Sequence, residues 1–500
     1  MNPTQLVSLS DTLAQAFTTT WHTDAIRSLP ALTDGTRVLT YETVDTLSMQ
    51  LAAGFAKRGV AAGSAIAITM QRSLDTLLVI LAALRAGGCP CVIEPRLSTA
   101  EVMERLAAVE ARWLVCDAEH EGLAAQLEDT VTVIPFDTLS ADPQVTQVAP
   151  VRPDTRALLL FTSGSTGRPK AVQLTQSALL NNALGVIEHS GLSSRDRLLH
   201  TMPVYHTNGV NNQLFAPLLA GSTVVFAERF RAGDMPGLMA RHRPTIITGV
   251  PTMYSRMRDQ QFDPASFAAL RMARCGSAPI TKELHVQVEA LLGCELVVSY
   301  GLSEATCTST MNPPGKRRIG SVGTPLRGQR VQLREEGGPM TNEALREGEI
   351  CIAGANLMTG YVGAIDETSR AVSDGWLRTG DLGRFDEDGY LYVTGRIKDI
   401  IIRGGENLSP MLIESTVLND SRVAACCVVG RADADLGEVP AAFVVLTPGS
   451  QMNEDEVRDA VRQRLSPIYV PHYVFFISSF PETFVGKVDK KALAASFATG

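Results

Sequence analysis

The fold of this 500-residue chain is decided first by the stretch LLLFTSGSTGRPKAVQL, residues 158–174. Residues 158–161 form an apolar run that is typical of a buried strand, and residues 171–174 look extended. The nine residues between them hold two glycines, four hydroxyl side chains and two cations. Glycine lets backbone N–H groups approach an anion closely, while the hydroxyls and Lys170 add hydrogen-bond donors and positive charge. The stretch therefore predicts a loop that binds a polyphosphate.

This loop differs from a Walker loop, which needs Gly-Lys-Ser/Thr at the start of a helix. Lys170 instead follows Pro169 and precedes Ala171, so we predict a strand–loop–strand arrangement. A flexible surface turn without a ligand is the alternative interpretation.

The composition sets broad limits on the function. Hydrophobic residues make up 45% and charged residues 20% of the chain, as in a globular protein, and the length indicates more than one domain. The net charge of −8 gives no support to a nucleic-acid partner. The longest strongly apolar run, residues 77–84, is too short to span a membrane, and we see no secretory signal. Nine scattered cysteines follow no metal or disulfide spacing, so we expect reduced core thiols and a cytoplasmic location.

Helical and strand-like segments alternate over the first 300 residues, which predicts crossover connections and a largely parallel sheet in two similar lobes. Residues 43–57 and 74–86 have helical periodicity. The strand-like runs are residues 65–69, 113–116, 131–134, 223–226, 245–248 and 296–299. After Gly348 come short strands at 349–353, 391–394 and 400–403, followed by a helical pattern at 454–465. We therefore expect a small α+β domain at the C-terminal end, with its boundary near residues 396–398.

The loop at residues 162–170 resembles the signature loop of the adenylate-forming superfamily. This superfamily includes AMP-forming acyl-CoA synthetases, 4-coumarate-CoA ligase-like enzymes, firefly-type luciferases and peptide-synthetase adenylation domains. Ala171 departs from the glycine that is usual there. The other motifs follow in the family's order: GSAP at 276–279, YGLSEAT at 300–306, WLRTGD at 376–381, GRIKD at 395–399 and PETFVGK at 481–487.

The resemblance implies an α/β fold with two domains. Residues 1–397 would form a large N-terminal domain of two similar α/β lobes with a small β-barrel-like part. Residues 398–500 would form a small, mobile α+β domain that carries the catalytic lysine and is hinged near Lys398.

The resemblance also implies a role for each motif residue. Tyr300 would stack on adenine, Ser303 would reach the α-phosphate, and Glu304 would hold Mg²⁺, for which one carboxylate suffices. Asp381 would accept hydrogen bonds from both ribose hydroxyls, and Arg396 would contact the ribose. The implied nucleotide-binding residues are Thr162, Ser163, Gly164, Ser165, Thr166, Gly167, Lys170, Ser277, Ala278, Pro279, Tyr300, Gly301, Leu302, Ser303, Asp381, Arg396 and Lys487. The implied catalytic residues are Lys170, Thr166, Glu304 and Lys487.

Two segments of the small domain are expected to serve successive steps. Lys487 would bridge the substrate carboxylate and the α-phosphate, because two anions approach each other readily only when a cation is placed between them. Gly404, Gly405 and Glu406 would line the channel for the pantetheine arm of coenzyme A. Rotation about Lys398 would present first one segment and then the other to the same site.

The acyl site should follow Pro203, and its implied residues are His206, Asn208, Asn211, Asn212, Ser299 and Gly301. The stretch 204–212 contains no acid to pair with an α-amino group, so an amino acid substrate is disfavoured. If the stretch is helical, its three asparagines share one face and favour a short or polar acid, such as an oxygenated acid or one with a second carboxyl group. Alternatively, the asparagines cap a helix or face water, and His206 is a core residue.

These inferences predict a ligase that converts a small carboxylic acid and MgATP to an acyl-adenylate and pyrophosphate, and then transfers the acyl group to coenzyme A. One alternative is transfer to a carrier-protein pantetheine. The others are an ATP hydrolase and a non-catalytic nucleotide-binding protein, although the polar motif residues that such a protein would lose are all present.

Overall fold

We describe a computed structural model of the chain, which covers residues 4, 7–8, 11–127, 129–139, 151–162, 169–335, 338–481 and 488–495. Within these ranges the largest sheet has nine strands, and its six central strands are parallel. In spatial order its strands are Thr324–Pro325, Thr310–Met311, Glu295–Tyr300, Met272–Cys275, Ile246–Gly249, Arg197–His200, Thr223–Phe226, Pro30–Thr33 and Val38–Thr40.

A second lobe contains a smaller parallel sheet. Its strands in the described part are Cys89–Val92, Ala65–Thr69, Trp113–Cys116 and Thr132–Pro135. Beside it lies an antiparallel sheet of Gly360–Tyr361, Lys170–Thr175 and Arg156–Thr162. Leu159 and Ala171 pack into the same hydrophobic core as the parallel strands. The predicted strand–loop–strand arrangement is confirmed, because Thr162 and Lys170 are cross-strand partners at the mouth of the loop.

An antiparallel sheet forms the barrel-like part. Its strands are Met340–Thr341, Gln329–Arg334, Glu347–Gly354, Trp376–Phe385, Val372–Ser373 and Leu391–Arg396. The C-terminal sheet consists of Glu406–Leu408, Ile401–Arg403, Gly437–Leu446, Val423–Asp433 and Tyr473–Phe476. The apolar side chains of this last sheet form hydrophobic clusters of their own, distinct from the core of the preceding lobes.

Helices cover the sheets. Their bounds are Leu13–Trp21, Tyr41–Lys57, Leu74–Arg85, Thr99–Ala108, Glu121–Ala125, Gln176–Ser190, Ala216–Leu219, Met235–His242, Pro251–Arg258, Lys282–Leu292, Ile365–Ala371, Pro410–Val417, Glu454–Arg462 and Lys490–Ala495. Side-chain N-caps determine where several of these helices begin. The hydroxyls of Thr40 and Ser73 each accept a hydrogen bond from the backbone N–H three residues later. The helix Leu74–Arg85 is buried along almost its whole length, which explains its nearly continuous apolar sequence.

The α/β fold class expected from the sequence is confirmed, and each predicted strand and helix is found with its ends shifted by a few residues at most. In the described part of the chain, no helix is both long and apolar enough to cross a bilayer. All nine cysteines lie in the described ranges as free thiols, and six of them are buried.

Candidate active site

The phosphate-loop lysine is connected to the predicted metal carboxylate. Lys170 Nζ lies 2.5 Å from Glu367 Oε2 and 5.2 Å from the centre of the Tyr361 ring. The Tyr361 hydroxyl donates a 2.9 Å hydrogen bond to Glu304 Oε1. These contacts form because Tyr361 is the cross-strand partner of Val172, which lies in the strand that begins at Lys170. Burial and the nearby Glu304 carboxylate raise the pKa of Tyr361, so its hydroxyl remains a donor at neutral pH.

Part of the predicted loop cannot be compared with the structure. Ser163, Gly164, Ser165, Thr166, Gly167 and Lys487 lie outside the described residues. At the edge of the loop, the Thr162 hydroxyl donates a 3.5 Å hydrogen bond to the carbonyl of Lys170.

Asp381, Tyr300 and Arg396, all assigned to the nucleotide from the sequence, lie together in the structure. The Tyr300 hydroxyl donates to Asp381 Oδ2 at 2.8 Å, and Arg396 Nε lies 2.8 Å from Asp381 Oδ1. Asp381 and Arg396 are cross-strand partners, while Tyr300 ends a strand of the large sheet. Burial, followed by the Asp381 charge, raises the pKa of Tyr300 well above its usual value. A carboxylate offers about four acceptor positions, so these two contacts leave capacity for a diol.

The GSAP and YGLSEAT segments leave neighbouring parallel strands at the same edge of the sheet, where ligands of α/β proteins usually bind. A Cβ on Gly276 would lie 3.0 Å from Ser299 Oγ, so this turn packs closely against the next strand. Ser277 has a φ of +68°, a strained conformation for a residue with a side chain. Ser277, Ala278 and Pro279 are exposed at this edge.

The loop that holds Glu304 is rigidly anchored. A Cβ on Gly301 would lie 1.8 Å from the carbonyl oxygen of Cys307, so only glycine fits there. Thr306 has a φ of +70°, and its hydroxyl donates a 2.6 Å hydrogen bond to the carbonyl of Asn356. The N–H of Met358 bonds the carbonyl of Glu304 itself at 2.8 Å. The carboxylate is therefore held in a fixed orientation, while Leu302 and Ser303 are half-buried beside it.

The predicted acyl-binding helix requires a correction. Residues Asn208–Phe215 form a π-helix, with hydrogen bonds between residues five apart, so α-helical spacing does not describe the face that they share. Gly209 allows this helix to pack on the chain before it, because a Cβ there would lie 2.0 Å from the carbonyl oxygen of Pro203. His200 also holds the start of the π-helix in place, since its Nε2 lies 2.9 Å from the Gly209 carbonyl oxygen.

The asparagines of this helix neither cap it nor face water, so that alternative is wrong. Asn208, Asn211 and Asn212 are all buried. The Asn211 side chain donates to Asn182 Oδ1 at 2.8 Å, and that of Asn212 donates to the Thr308 hydroxyl at 2.8 Å. The first bond ties the π-helix to the helix Gln176–Ser190, and the second ties it to the segment that follows the Glu304 loop. The ring of His206, half-buried, packs edge-on against Tyr205 with the ring centres 4.7 Å apart.

The residues predicted to form the hinge and the channel lie farther along the chain. Gly404 and Gly405 form the exposed turn between two strands of the C-terminal sheet, both with positive φ, and the exposed Glu406 begins the second of these strands. The contact that places this turn is a 2.7 Å hydrogen bond from the Gly404 N–H to the Leu436 carbonyl. Burial, followed by repulsion from Arg396, lowers the pKa of Lys398.

Sequence reasoning missed three residues. Tyr361 and Glu367 lie almost 200 residues from Lys170 and carry no local signal. Arg274 did leave a signal, because it is a lone cation inside the apolar strand Met272–Cys275.

Comparison with known proteins defines the family. The model of the AMP-binding enzyme family matches residues 21–362, and that of the AMP-binding enzyme C-terminal domain matches residues 412–487. This chain therefore belongs to the AMP-binding enzyme family.

The similarity extends over nearly the whole chain. Sulfoacetate–CoA ligase of Cupriavidus necator is 32% identical over 475 residues, which cover 92% of this chain and 93% of that protein. Feruloyl-CoA synthase of an Amycolatopsis species is 32% identical over 478 residues, covering 93% and 96%. The crystal structure of ATP-bound MatB from Rhodopseudomonas palustris matches with a TM-score of 0.89 at 28% identity and covers 99% of both chains.

These findings confirm the resemblance stated from the motifs. The protein is an AMP-forming acid–thiol ligase of the acyl-CoA synthetase type, which acts through an acyl-adenylate.

Tyr361→Phe should weaken the use of Mg²⁺, because Glu304 loses the hydroxyl that orients it. We expect the Mg²⁺ concentration for half-maximal pyrophosphate release to rise about 10-fold, with an unchanged melting temperature. Tyr392→Phe, which removes a similar bond to Asp386, is the matched control and should leave the Mg²⁺ dependence unchanged. Equal Mg²⁺ requirements in the wild type and Tyr361→Phe would contradict an orienting role.

Proposed function

We propose that this enzyme converts a short or polar carboxylic acid, ATP and coenzyme A into the acyl-CoA, AMP and pyrophosphate. The observation that carries the proposal is that Lys170 and Glu304 both contact Tyr361, while Asp381 accepts a hydrogen bond from Tyr300, four residues before Glu304. Cation, metal carboxylate and diol acceptor are the groups that a bound MgATP requires.

The first step overcomes the low reactivity of a carboxylate, whose negative charge repels nucleophiles. A carboxylate oxygen attacks the α-phosphorus, the bond from that phosphorus to the bridging oxygen breaks, and pyrophosphate leaves. Lys170 lies where it can offset charge on the phosphates, while Lys487 would neutralise the approaching carboxylate and the α-phosphate. The thiol then attacks the carbonyl carbon, loses its proton and expels AMP.

Glu304 would be the protein ligand of Mg²⁺, which supplies positive charge to the phosphate oxygens when bound. Its Oε1 accepts the bond from Tyr361, and the carboxylate retains further acceptor positions. Among the described residues no three His, Cys, Asp or Glu side chains form a metal cage, and Mg²⁺ bound mainly by phosphates and water needs none.

We assign residues 1–397 to a large domain and residues 398–500 to a small one that turns at Lys398. The separate hydrophobic clusters of the C-terminal sheet support this division. Turning would bring Lys487 to the site for adenylation and the exposed turn at Gly404 and Gly405 for thioester formation. We place the reaction in the cytoplasm, in agreement with nine free thiols in the described ranges.

The substrate proposal rests on the polar surroundings of the π-helix. Asn208, Asn211 and Asn212 are buried amides, which suit a long alkyl chain poorly. The names of the relatives indicate substrates of different size, because one is named for sulfoacetate and another for feruloyl-CoA. We therefore favour the small polar class on the residues of this chain, with His206 beside the acyl group.

The overall reaction is tested with a panel of acids, ATP and Mg²⁺, with coenzyme A or a pantetheine-bearing carrier protein as acceptor. We expect acid-dependent release of AMP and pyrophosphate, thioester formation on coenzyme A, and faster turnover of short hydroxy-, keto- and di-acids than of hexadecanoate. Preference for hexadecanoate would remove the substrate proposal. Thioester formed on the carrier protein alone would replace coenzyme A as acceptor.

Lys487→Ala should lower the rate of adenylation by at least about 10²-fold, because the carboxylate then approaches the α-phosphate without a cation. Thioester formation from synthetic acyl-adenylate and coenzyme A should survive. Lys57→Ala, which removes an exposed lysine near the end of a helix, is the matched control. Equal loss in both half-reactions would contradict the separate use of Lys487.

A further inference from the structure

We propose that Arg274 binds a second acidic group of the acyl substrate, a carboxylate or a sulfonate, and that the enzyme therefore acts on a short dianionic acid. This inference rests on the proposed function and specifies its substrate class.

Arg274 lies in the large sheet, two residues before the point where the GSAP segment leaves its strand. It belongs to the strand Met272–Cys275, and the register places it beside Thr248 on one side and Val297 on the other. Side chains two residues apart on a strand share a face. Gly276 and Ser299 therefore follow on the same face, one pleat nearer the edge where the nucleotide segments begin.

The guanidinium contacts a residue already assigned to the acyl site. Its Nη2 donates a 3.4 Å hydrogen bond to the carbonyl of Asn212 in the π-helix. The thiol of Cys307 is close enough to influence the Arg274 charge, and the carbonyl of Cys307 is the group against which Gly301 packs. Arg274 thus stands between the π-helix and the Glu304 loop.

The positive charge at this place is buried and not neutralised. Arg274 is 2% exposed, and in the described part of the chain its Nη1 has no hydrogen-bond partner. No carboxylate of the described residues lies within ion-pair distance of it. Burial lowers the pKa of Arg274 to about 10, so it stays protonated at neutral pH. Burial also raises the pKa values of the neighbouring Cys307 and Tyr254, which remain uncharged.

Arg85 and Arg72, by contrast, have several partners for their guanidinium groups within the protein. Arg85 Nη2 lies 2.6 Å from Asp45 Oδ1. Arg72 donates to the carbonyls of Ala227, Met202 and His200, and its guanidinium stacks on the ring of Phe226. A buried cation without such partners is unfavourable unless a ligand supplies the anion. Arg274 is therefore explained by an occupant of the acyl site that carries negative charge.

The position also limits the length of the acid. Two residues along a strand span roughly 6.6 Å, so this distance separates the backbone of Arg274 from that of Gly276. The reacting carboxylate must lie at the adenylation site above that level. A substrate that reaches both is a short acid with charges at its two ends.

The test compares acids of equal length with one or two charges, propanoate with malonate and butanoate with succinate, and it compares two acidic groups in succinate and 3-sulfopropanoate. We measure kcat/KM for ATP-dependent thioester formation with the wild type, Arg274→Met, Arg274→Lys and the control Arg195→Met. Arg195 is an exposed arginine of the large domain.

We expect the wild type to prefer each dianion over its monoanion by at least about 10²-fold. Arg274→Met should lose that preference because kcat/KM falls much more for the dianions than for the monoanions, and Arg274→Lys should retain part of it. Arg195→Met should behave as the wild type. The comparison of succinate with 3-sulfopropanoate identifies whether a carboxylate or a sulfonate fits the site better.

A wild type that prefers monoanions, or an Arg274→Met variant that slows both series equally, would overturn the assignment. If Arg274→Met does not fold, the assignment is tested by the dianion-to-monoanion ratios of kcat/KM in the wild type and in Arg274→Lys. Turnover of monoanions alone refutes only the role of Arg274, whereas the absence of AMP and pyrophosphate with every acid refutes the proposed function itself.

Discussion

The structure depends on one electrostatic constraint: adenylation joins two anions that repel each other. The protein must surround a carboxylate and a triphosphate with cations and oriented donors before they can react. Lys170 does not stand alone, because Glu367 and the Tyr361 ring hold it in place. The same tyrosine donates a hydrogen bond to Glu304, so one residue contacts both the lysine and the carboxylate that we propose as the Mg²⁺ ligand.

Such a site needs a rigid support, and the backbone around it provides one. Gly301 and Gly209 stand where a side chain would collide with neighbouring backbone, and Thr306 is held in a left-handed conformation by its own hydrogen bond. Asn212 and Thr308 then join the π-helix to the Glu304 loop. The proposed acyl site and the Glu304 loop are thus joined by a buried side-chain hydrogen bond, which restricts the groups that it connects.

Much of this could be predicted from the sequence, because strand order and loop chemistry are local. The run at residues 158–161 and the glycines and hydroxyls after it predicted the strand–loop–strand unit, and the motifs assigned Tyr300, Asp381 and Arg396 to one nucleotide site, but not the hydrogen bond from Tyr300 to Asp381. The π-helix could not be predicted, since apolar periodicity does not distinguish hydrogen bonds over four and five residues. Tyr361 and Glu367 reach Lys170 only through sheet pairing across almost 200 residues. Arg274 in an apolar strand was visible in the sequence, but its meaning depends on which partners are missing in the folded protein.

The central claim, an acyl-adenylate formed at this site, is tested most directly by following oxygen. The acid is labelled with ¹⁸O in its carboxylate, converted with ATP and coenzyme A, and the products are analysed by mass spectrometry. The account predicts one ¹⁸O atom in the phosphate of AMP, because the attacking oxygen leaves with the nucleotide. Label in inorganic phosphate, or unlabelled AMP beside labelled acyl-CoA, would contradict it.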